Sequence, residues 1–146
     1  MQRRIFHAKR PGMKKSTGLI HHFSLHVADL EHSKEFWGWF LGRLGYVQSD
    51  AWKDGASYKL GATYIDVIQV EDEYRAVPHD RERVGMHHLA FHASSRAHVD
   101  EVTNEIRTRG LTVLYPDQHP YAGGPDYYAL YFEDPNGIKV ELVAPS

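Results

Sequence analysis

One plan is written twice in this chain. His21, His22, His26, His32 and Glu35 recur in the same order and without a gap as His87, His88, His92, His98 and Glu101, each 66 positions later. Five chemistry-bearing side chains superposed by one offset in so short a window mark a tandem duplication, so the fold has to be built from two copies of one unit. With 146 residues to divide, each copy is too small to bury an adequate core by itself, and the two are expected to share one.

Local patterns give the unit its elements. Leu19 to Ala28 alternates and is rich in large apolar groups, as a half-buried strand does, and Asp29 stands where a helix N-cap belongs. Phe36, Phe40, Leu41 and Leu44 then recur at helical spacing until Gly45 offers a left-handed stop. Tyr46 to Gln48, Ser57 to Leu60 and Thr63 to Val70 read as short strands, the last two joined at Gly61-Ala62. The second copy repeats the scheme: a strand over Met86 to Ala93, Ser94 or Ser95 as cap, a helix with Val99, Val102 and Ile106 on its core face, and Gly110 as its end. Leu111 to Tyr115 is expected as the next strand, Pro116 to Asp126 as a loop, and Tyr127 to Phe132 with Ile138 to Val143 as a hairpin across Asp134-Pro135-Asn136-Gly137. Each unit is therefore βαβββ, and the class is α+β. The expected organisation is a basic tail over residues 1–17 and one domain over 18–146, made of modules 19–70 and 86–144 joined by a charged linker, 71–85.

Composition excludes several functions. With no cysteine in the chain, disulfide frameworks, thiolate metal sites and cysteine nucleophiles are ruled out. The net charge is −2, but Arg3, Arg4, Lys9, Arg10, Lys14 and Lys15 fall within the first 17 residues, which leaves the body at −8 and disfavours a nucleic-acid surface on it. No apolar run approaches the roughly 20 residues of a membrane span, and no signal-peptide core follows Met1. A cytoplasmic protein acting on a small molecule, without nucleic acid or membrane as partner, is the expectation. The tail itself reads as a frayed terminus, with Met13 as an alternative start.

Chemistry follows from strand alternation. His22, Ser24 and His26 share one face of the first strand, and His88, Ala90 and His92 share the equivalent face in the second module, opposite the apolar residues that must pack on the helices. Asp66 in Tyr64-Ile65-Asp66-Val67-Ile68 and Glu141 in Ile138-Lys139-Val140-Glu141-Leu142 are acids flanked by helix-facing strand formers, which turns them to the same side as the histidines. A carboxylate on an inner sheet face is costly unless it is paired or bound to a cation. Among the aromatics, Trp37, Trp39 and Trp52 read as core or interface. Trp37 and Trp39 lie two apart on a helix, so one leaves the core face and is expected at a dimer contact.

Three segments, Ile20 to Leu30 (IHHFSLHVADL), Met86 to Phe91 (MHHLAF) and Tyr131 to Val143 (YFEDPNGIKVELV), resemble the vicinal oxygen chelate superfamily, which includes glyoxalase I, extradiol dioxygenases, fosfomycin-resistance enzymes, methylmalonyl-CoA epimerase and bleomycin-binding proteins. The resemblance spans about residues 19 to 144. It implies paired βαβββ modules that form a barrel-like cup around one divalent metal ion, often completed by a second chain, hence a homodimer. By motif position the metal ligands are His22, His88 and Glu141, with Asp66 as a fourth. Zn²⁺, Ni²⁺, Co²⁺, Mn²⁺ and Fe²⁺ all suit such a set. The implied activity is glyoxalase-like lyase or isomerase chemistry on a vicinal-oxygen substrate through a stabilised enediolate, with Glu141, Tyr131 and His26 as catalytic groups and His92, His119 and Tyr121 as substrate contacts. The Pro116 to Asp126 loop is expected to act as the lid.

Two departures qualify the pattern. Glutathione-dependent relatives tend to carry arginine four residues after the first histidine ligand, where this chain has His26. The extradiol dioxygenase pattern matches at Leu130-Tyr131, Asp134-Pro135, Gly137 and Glu141, but expects a histidine eight or nine residues before the tyrosine, where Ala122, Gly123 and Gly124 stand. An Fe²⁺ extradiol dioxygenase is thus the second reading, and a metal-free binding or resistance protein the third.

Overall fold

A computed structural model describes residues 15–146. The expected basic tail therefore lies, for residues 1–14, outside the described residues. The elements run β1 (His22–Val27), α1 (Leu30–Arg43), β2 (Val47–Trp52), β3 (Gly55–Leu60), β4 (Thr63–Gln69), β5 (Leu89–His92), α2 (Arg96–Thr108), β6 (Ala129–Glu133) and β7 (Lys139–Val143), with one 3-10 turn, Asp72–Tyr74, inside the linker.

Both helices start and stop as their sequences dictate. Asp29 accepts the His32 backbone N–H at 2.9 Å, and Ser95, rather than Ser94, accepts that of His98 at 3.0 Å. At the far ends the chain takes positive φ at Gly45 (92°) and Gly110 (70°), a conformation that costs a side-chain-bearing residue. The next amides turn back to close the helices, Tyr46 to the Leu41 carbonyl and Leu111 to that of Ile106.

The strands form two sheets, β1-β4-β3-β2 and β5-β7-β6. In each, the first strand of the module runs parallel to the last: Ser24 faces Asp66 across β1 and β4, and Ala90 faces Glu141 across β5 and β7. The duplication is thus visible in register as well as in sequence. It is incomplete, however. The strand expected over Leu111 to Tyr115 is reduced to a single bridge, Val113 to Phe132, so the second sheet has three strands where the first has four. Tyr115 sits at φ 52°, which breaks the extended run. Strand ends also shift: Leu19 and Ile20 stay exposed ahead of β1, β2 extends to Trp52, β3 begins at Gly55, and β5 covers only Leu89–His92.

The two modules share one core, as their size requires. Phe40 of α1 packs edge-on against Phe91 of β5 and Phe132 of β6, at 5.5 and 5.1 Å between centroids. Polar bonds reinforce the seam. Trp37 donates to buried Asp134 at 3.1 Å, and Asn136 accepts the Ala28 amide at 2.9 Å, so the Asp134-Pro135-Asn136-Gly137 turn is a bolt between modules as well as a reversal. Burial pushes the Asp134 carboxyl up, while bonds from Asn136, the Ile138 amide and Trp37 pull the other way. Trp39 adds to the seam. Its indole N–H binds Glu105 of α2 at 2.9 Å and Arg109 lies over its ring at 4.0 Å, so the tryptophan off the core face makes a contact within the chain.

Candidate metal and substrate site

The best-formed polar cluster lies on the second sheet. Strand alternation turns Val140 and Leu142 into the core and Glu141 to the opposite face. There Glu141 is only 2% exposed, and its carboxylate is bound from two sides, by His88 Nε2 at 2.9 Å and by the Tyr127 hydroxyl at 2.5 Å. Tyr131 stands directly opposite Glu141 in the register and places its ring edge-on to His88 at 6.4 Å. The hydrogen bond to Glu141 holds the Tyr127 hydroxyl in its neutral form, with its pKa pushed up to about 12. Tyr131 is raised as well, by burial first and by the Glu141 charge second.

Gly123 explains how the loop reaches this cluster. A Cβ at that position would lie 2.3 Å from the Tyr127 ring and 2.9 Å from the Tyr131 hydroxyl, so only glycine lets the loop press both tyrosines toward Glu141. Within the Pro116 to Asp126 loop Gly123 packs against these tyrosines, whereas His119 and Tyr121 lie elsewhere. His119 lies near Asp100 and Arg107 of α2 and the Ala129 backbone, with its pKa lowered chiefly by burial. Tyr121 packs edge-on against Tyr128, whose hydroxyl binds Asp100 at 2.5 Å. Both lie on the α2 side of β6, and the structure does not bring them together with Glu141. Consecutive residues at a strand's entry face opposite ways, which sends Tyr127 to Glu141 and Tyr128 to α2.

The first sheet carries the matching half. His22 stacks on Tyr64 with the rings nearly parallel and their centroids 4.7 Å apart, and Asp66 is held by Ser24 at 3.2 Å and by Ser57. His26 points to the same face and lines an open groove of about 1300 Å³ between the end of the sheet and the linker, together with Lys53, Arg75 and His79. That groove includes neither His88 nor Glu141. His92 is exposed on β5.

A second echo of the repeat was not anticipated. His21 Nδ1 meets His22 Nδ1 at 2.9 Å, and His87 Nδ1 meets His88 Nδ1 at 2.8 Å. Strict strand alternation would turn His21 and His87 to the helix-facing side. They precede the first paired residues of β1 and β5, where strict alternation does not yet apply, and each instead orients its neighbour's ring, as a histidine ligand's second nitrogen requires. The doubled His-His pair in the sequence was the available signal.

The four expected ligands do not gather in one place. They divide between the sheets: His88 meets Glu141 on one, while His22 and Asp66 share a face of the other with separate partners, Tyr64 and the two serines, and no group of three or more ligating side chains forms among the described residues. Imidazole nitrogen and carboxylate oxygen are the right donors for a borderline divalent ion, yet two per sheet fall short of the three or four protein ligands such ions take. The donors of one sheet alone do not fit a resident metal. Those of two sheets brought face to face would.

A duplicated α+β fold that sets one histidine and one carboxylate on the open face of each of two sheets defines the class: a paired-module domain with two matched half-sites. The chain belongs to the Glyoxalase/Bleomycin resistance protein/Dioxygenase superfamily, whose model matches residues 19–142. Bacillus subtilis (strain 168) has a relative, the uncharacterized protein YqjT, 48% identical over 127 residues that span 87% of this chain and 99% of the relative. A solved structure from Bacillus halodurans, provisionally described as a glyoxalase, is 50% identical with a TM-score of 0.86, covering 89% of this chain and 98% of that one. Lactoylglutathione lyase from Agrobacterium tumefaciens shares the fold at 21% identity and a TM-score of 0.62, over 90% and 96% of the two chains. No helix among the described residues is long and apolar enough to cross a membrane.

Proposed function

We propose that the protein is a divalent-metal-dependent lyase or isomerase of the glyoxalase type, acting on a small substrate with adjacent oxygens, and that its site is completed by a second copy of the chain. The observation that carries this reading is the matched pair of half-sites: two donors per sheet, in the same register, each with its histidine oriented by a neighbouring histidine. His22 and Asp66 of one copy, with His88 and Glu141 of another, would supply the four protein donors. When bound, the ion would act as a Lewis acid that polarises the substrate's oxygens.

The chain's own groups account for the proton movement. Glu141 is the base, buried and aimed by Tyr127, so that once released from His88 its Oε2 can take a proton from the carbon beside a substrate carbonyl and return it to the neighbouring carbon. Tyr131, neutral and opposite Glu141, can donate to a substrate oxygen as charge builds there. His26 and His92 lie further along the same faces, placed to contact the remainder of the substrate. Gly123 weakens the dioxygenase reading: the position that pattern gives to an imidazole is here packed against Tyr127 and Tyr131 with no room for any side chain.

The test is a mixing experiment. H22A/D66A and H88A/E141A variants, each purified alone, should bind no metal by mass spectrometry. Unfolded, mixed in equal amounts and refolded together, they should recover about a quarter of the sites that wild-type chains hold, because half of the pairs formed are mixed and each mixed pair contains one intact set of two. Recovery of none, with wild-type metal near one per chain, would place the whole set within one chain. A wild-type protein that takes up no ion from any of the five metals would reject the enzyme reading in favour of a binding protein.

A further inference from the structure

Two residues before Glu141, on the same face of β7, stands a buried lysine. Lys139 is 5% exposed. Its Nζ donates to the Tyr115 hydroxyl at 2.9 Å and lies 4.9 Å from the ring centroids of both Tyr115 and Tyr131. No carboxylate pairs with it among the described residues. The acid opposite it in the register, Glu133, is occupied instead by Arg81 of the linker, at 2.8 Å. Surface lysines need no explanation, but a buried ammonium without a counter-charge is an expensive arrangement. Aromatic faces relieve it only in part, and one tyrosine oxygen satisfies one of three donors.

The surroundings are built rather than accidental. Tyr115 reaches Lys139 from a backbone at φ 52°, the left-handed region that a tyrosine seldom adopts, and such strain is kept where the position matters. Tyr115 is itself 40% exposed, so the ammonium lies one ring below solvent. Tyr131 is shared, touching Lys139 on one side and facing Glu141 on the other.

The geometry points to Lys139, with Tyr115, as the receptor for a carboxylate of the substrate. This rests on reading the Glu141 face as a small-molecule site. Two residues along a strand separate side chains by about 7 Å, so the carboxylate would sit a few bonds from the carbon that Glu141 serves. The substrate class is then an oxo or hydroxy acid, not a neutral carbonyl compound. The anion supplies the missing counter-charge, and the two unused donors of Nζ take its oxygens.

The test uses the full chain freed of metal by chelation, with pyruvate as the anionic probe and hydroxyacetone as its neutral counterpart. Pyruvate should move the ¹⁵Nζ resonance of Lys139 and the ring signals of Tyr115 and Tyr131 saturably, whereas hydroxyacetone should not. K139M should weaken pyruvate binding roughly tenfold or more, and Y115F, which keeps the ammonium, should weaken it only a few-fold. An unmoved Lys139 resonance, or a folded K139M that binds pyruvate as the parent does, overturns the inference. The resonance measurement needs no variant, so it decides even where K139M fails to fold. Because metal is absent, the two readings separate: pyruvate binding through Lys139 survives a failed mixing experiment, and recovered metal sites survive an unmoved lysine.

Discussion

The two acids that the repeat places at equivalent points, Asp66 and Glu141, live in different surroundings. Asp66 is half-buried and held by two serines from neighbouring strands of a complete four-stranded sheet. Glu141 is buried on a sheet that lost a strand, and the loop that replaced it delivers Tyr127 and Gly123, while Tyr115 reaches over Lys139. Duplication kept the backbone register and the donor types. It did not keep the environment. A strand can only continue a sheet's pleat, whereas a loop can bring side chains over its face, so the second half-site became the more elaborated one.

Breaking the shared core should have the largest effect. Phe40 is fully buried and bridges the modules, so F40A should cost about 3–5 kcal/mol in a single urea transition seen alike by fluorescence and circular dichroism. Two separate transitions would mean that the modules are independent, and the comparison between them would lose its basis.

The contrast between the acids is sharpened by E141Q and D66N, followed by metal titration. E141Q should weaken metal binding by more than the roughly 10–100-fold typical of supporting residues, with D66N falling within or below that range. Equal losses would show that burial and the tyrosine clamp give Glu141 no special weight. Next in size, G123A should drive the Tyr127 ring off Glu141 and lower activity about tenfold or more with little change in fold. Unaltered kinetics would show that the loop's close approach is incidental.

The smallest expected effect separates Tyr127 from its neighbour. Tyr128 has its pKa pushed up from 10.0 to about 12, first by the bond to Asp100, and D100N should return one tyrosine toward its ordinary value in an ultraviolet titration while leaving metal binding unchanged. The sign for stability follows. A group whose folded pKa is raised stabilises the fold fully below its unfolded pKa and loses that contribution as pH rises through the folded one, so the wild-type protein should lose stability between pH 10 and about 12 more steeply than D100N. Identical slopes would mean that the bond is not maintained in solution.

Much of this was legible in one dimension. The repeat, the caps Asp29 and Ser95, the stops Gly45 and Gly110, and the inward turn of Glu141 are consequences of local sterics and strand alternation, which depend only on near neighbours in the chain. His88 and Glu141, 53 residues apart, were expected to converge, and they meet at 2.9 Å. Less was legible where no local rule applies: Leu111 to Tyr115 had strand propensity but lost its partners, and the path that brings His119 and Tyr121 to α2 could not be read from loop membership.

The sequence by itself determined the paired-module plan, the donor types and the face each donor occupies, because period-two alternation and a 66-residue repeat are properties of order along the chain. Only the tertiary structure decided that the donors divide between two sheets, that a glycine presses two tyrosines toward Glu141, and that a lysine is buried beside it without a counter-charge. Those depend on how sheets, helices and one irregular loop pack in space. Packing is set by the sum of many distant contacts, which no short window of residues contains.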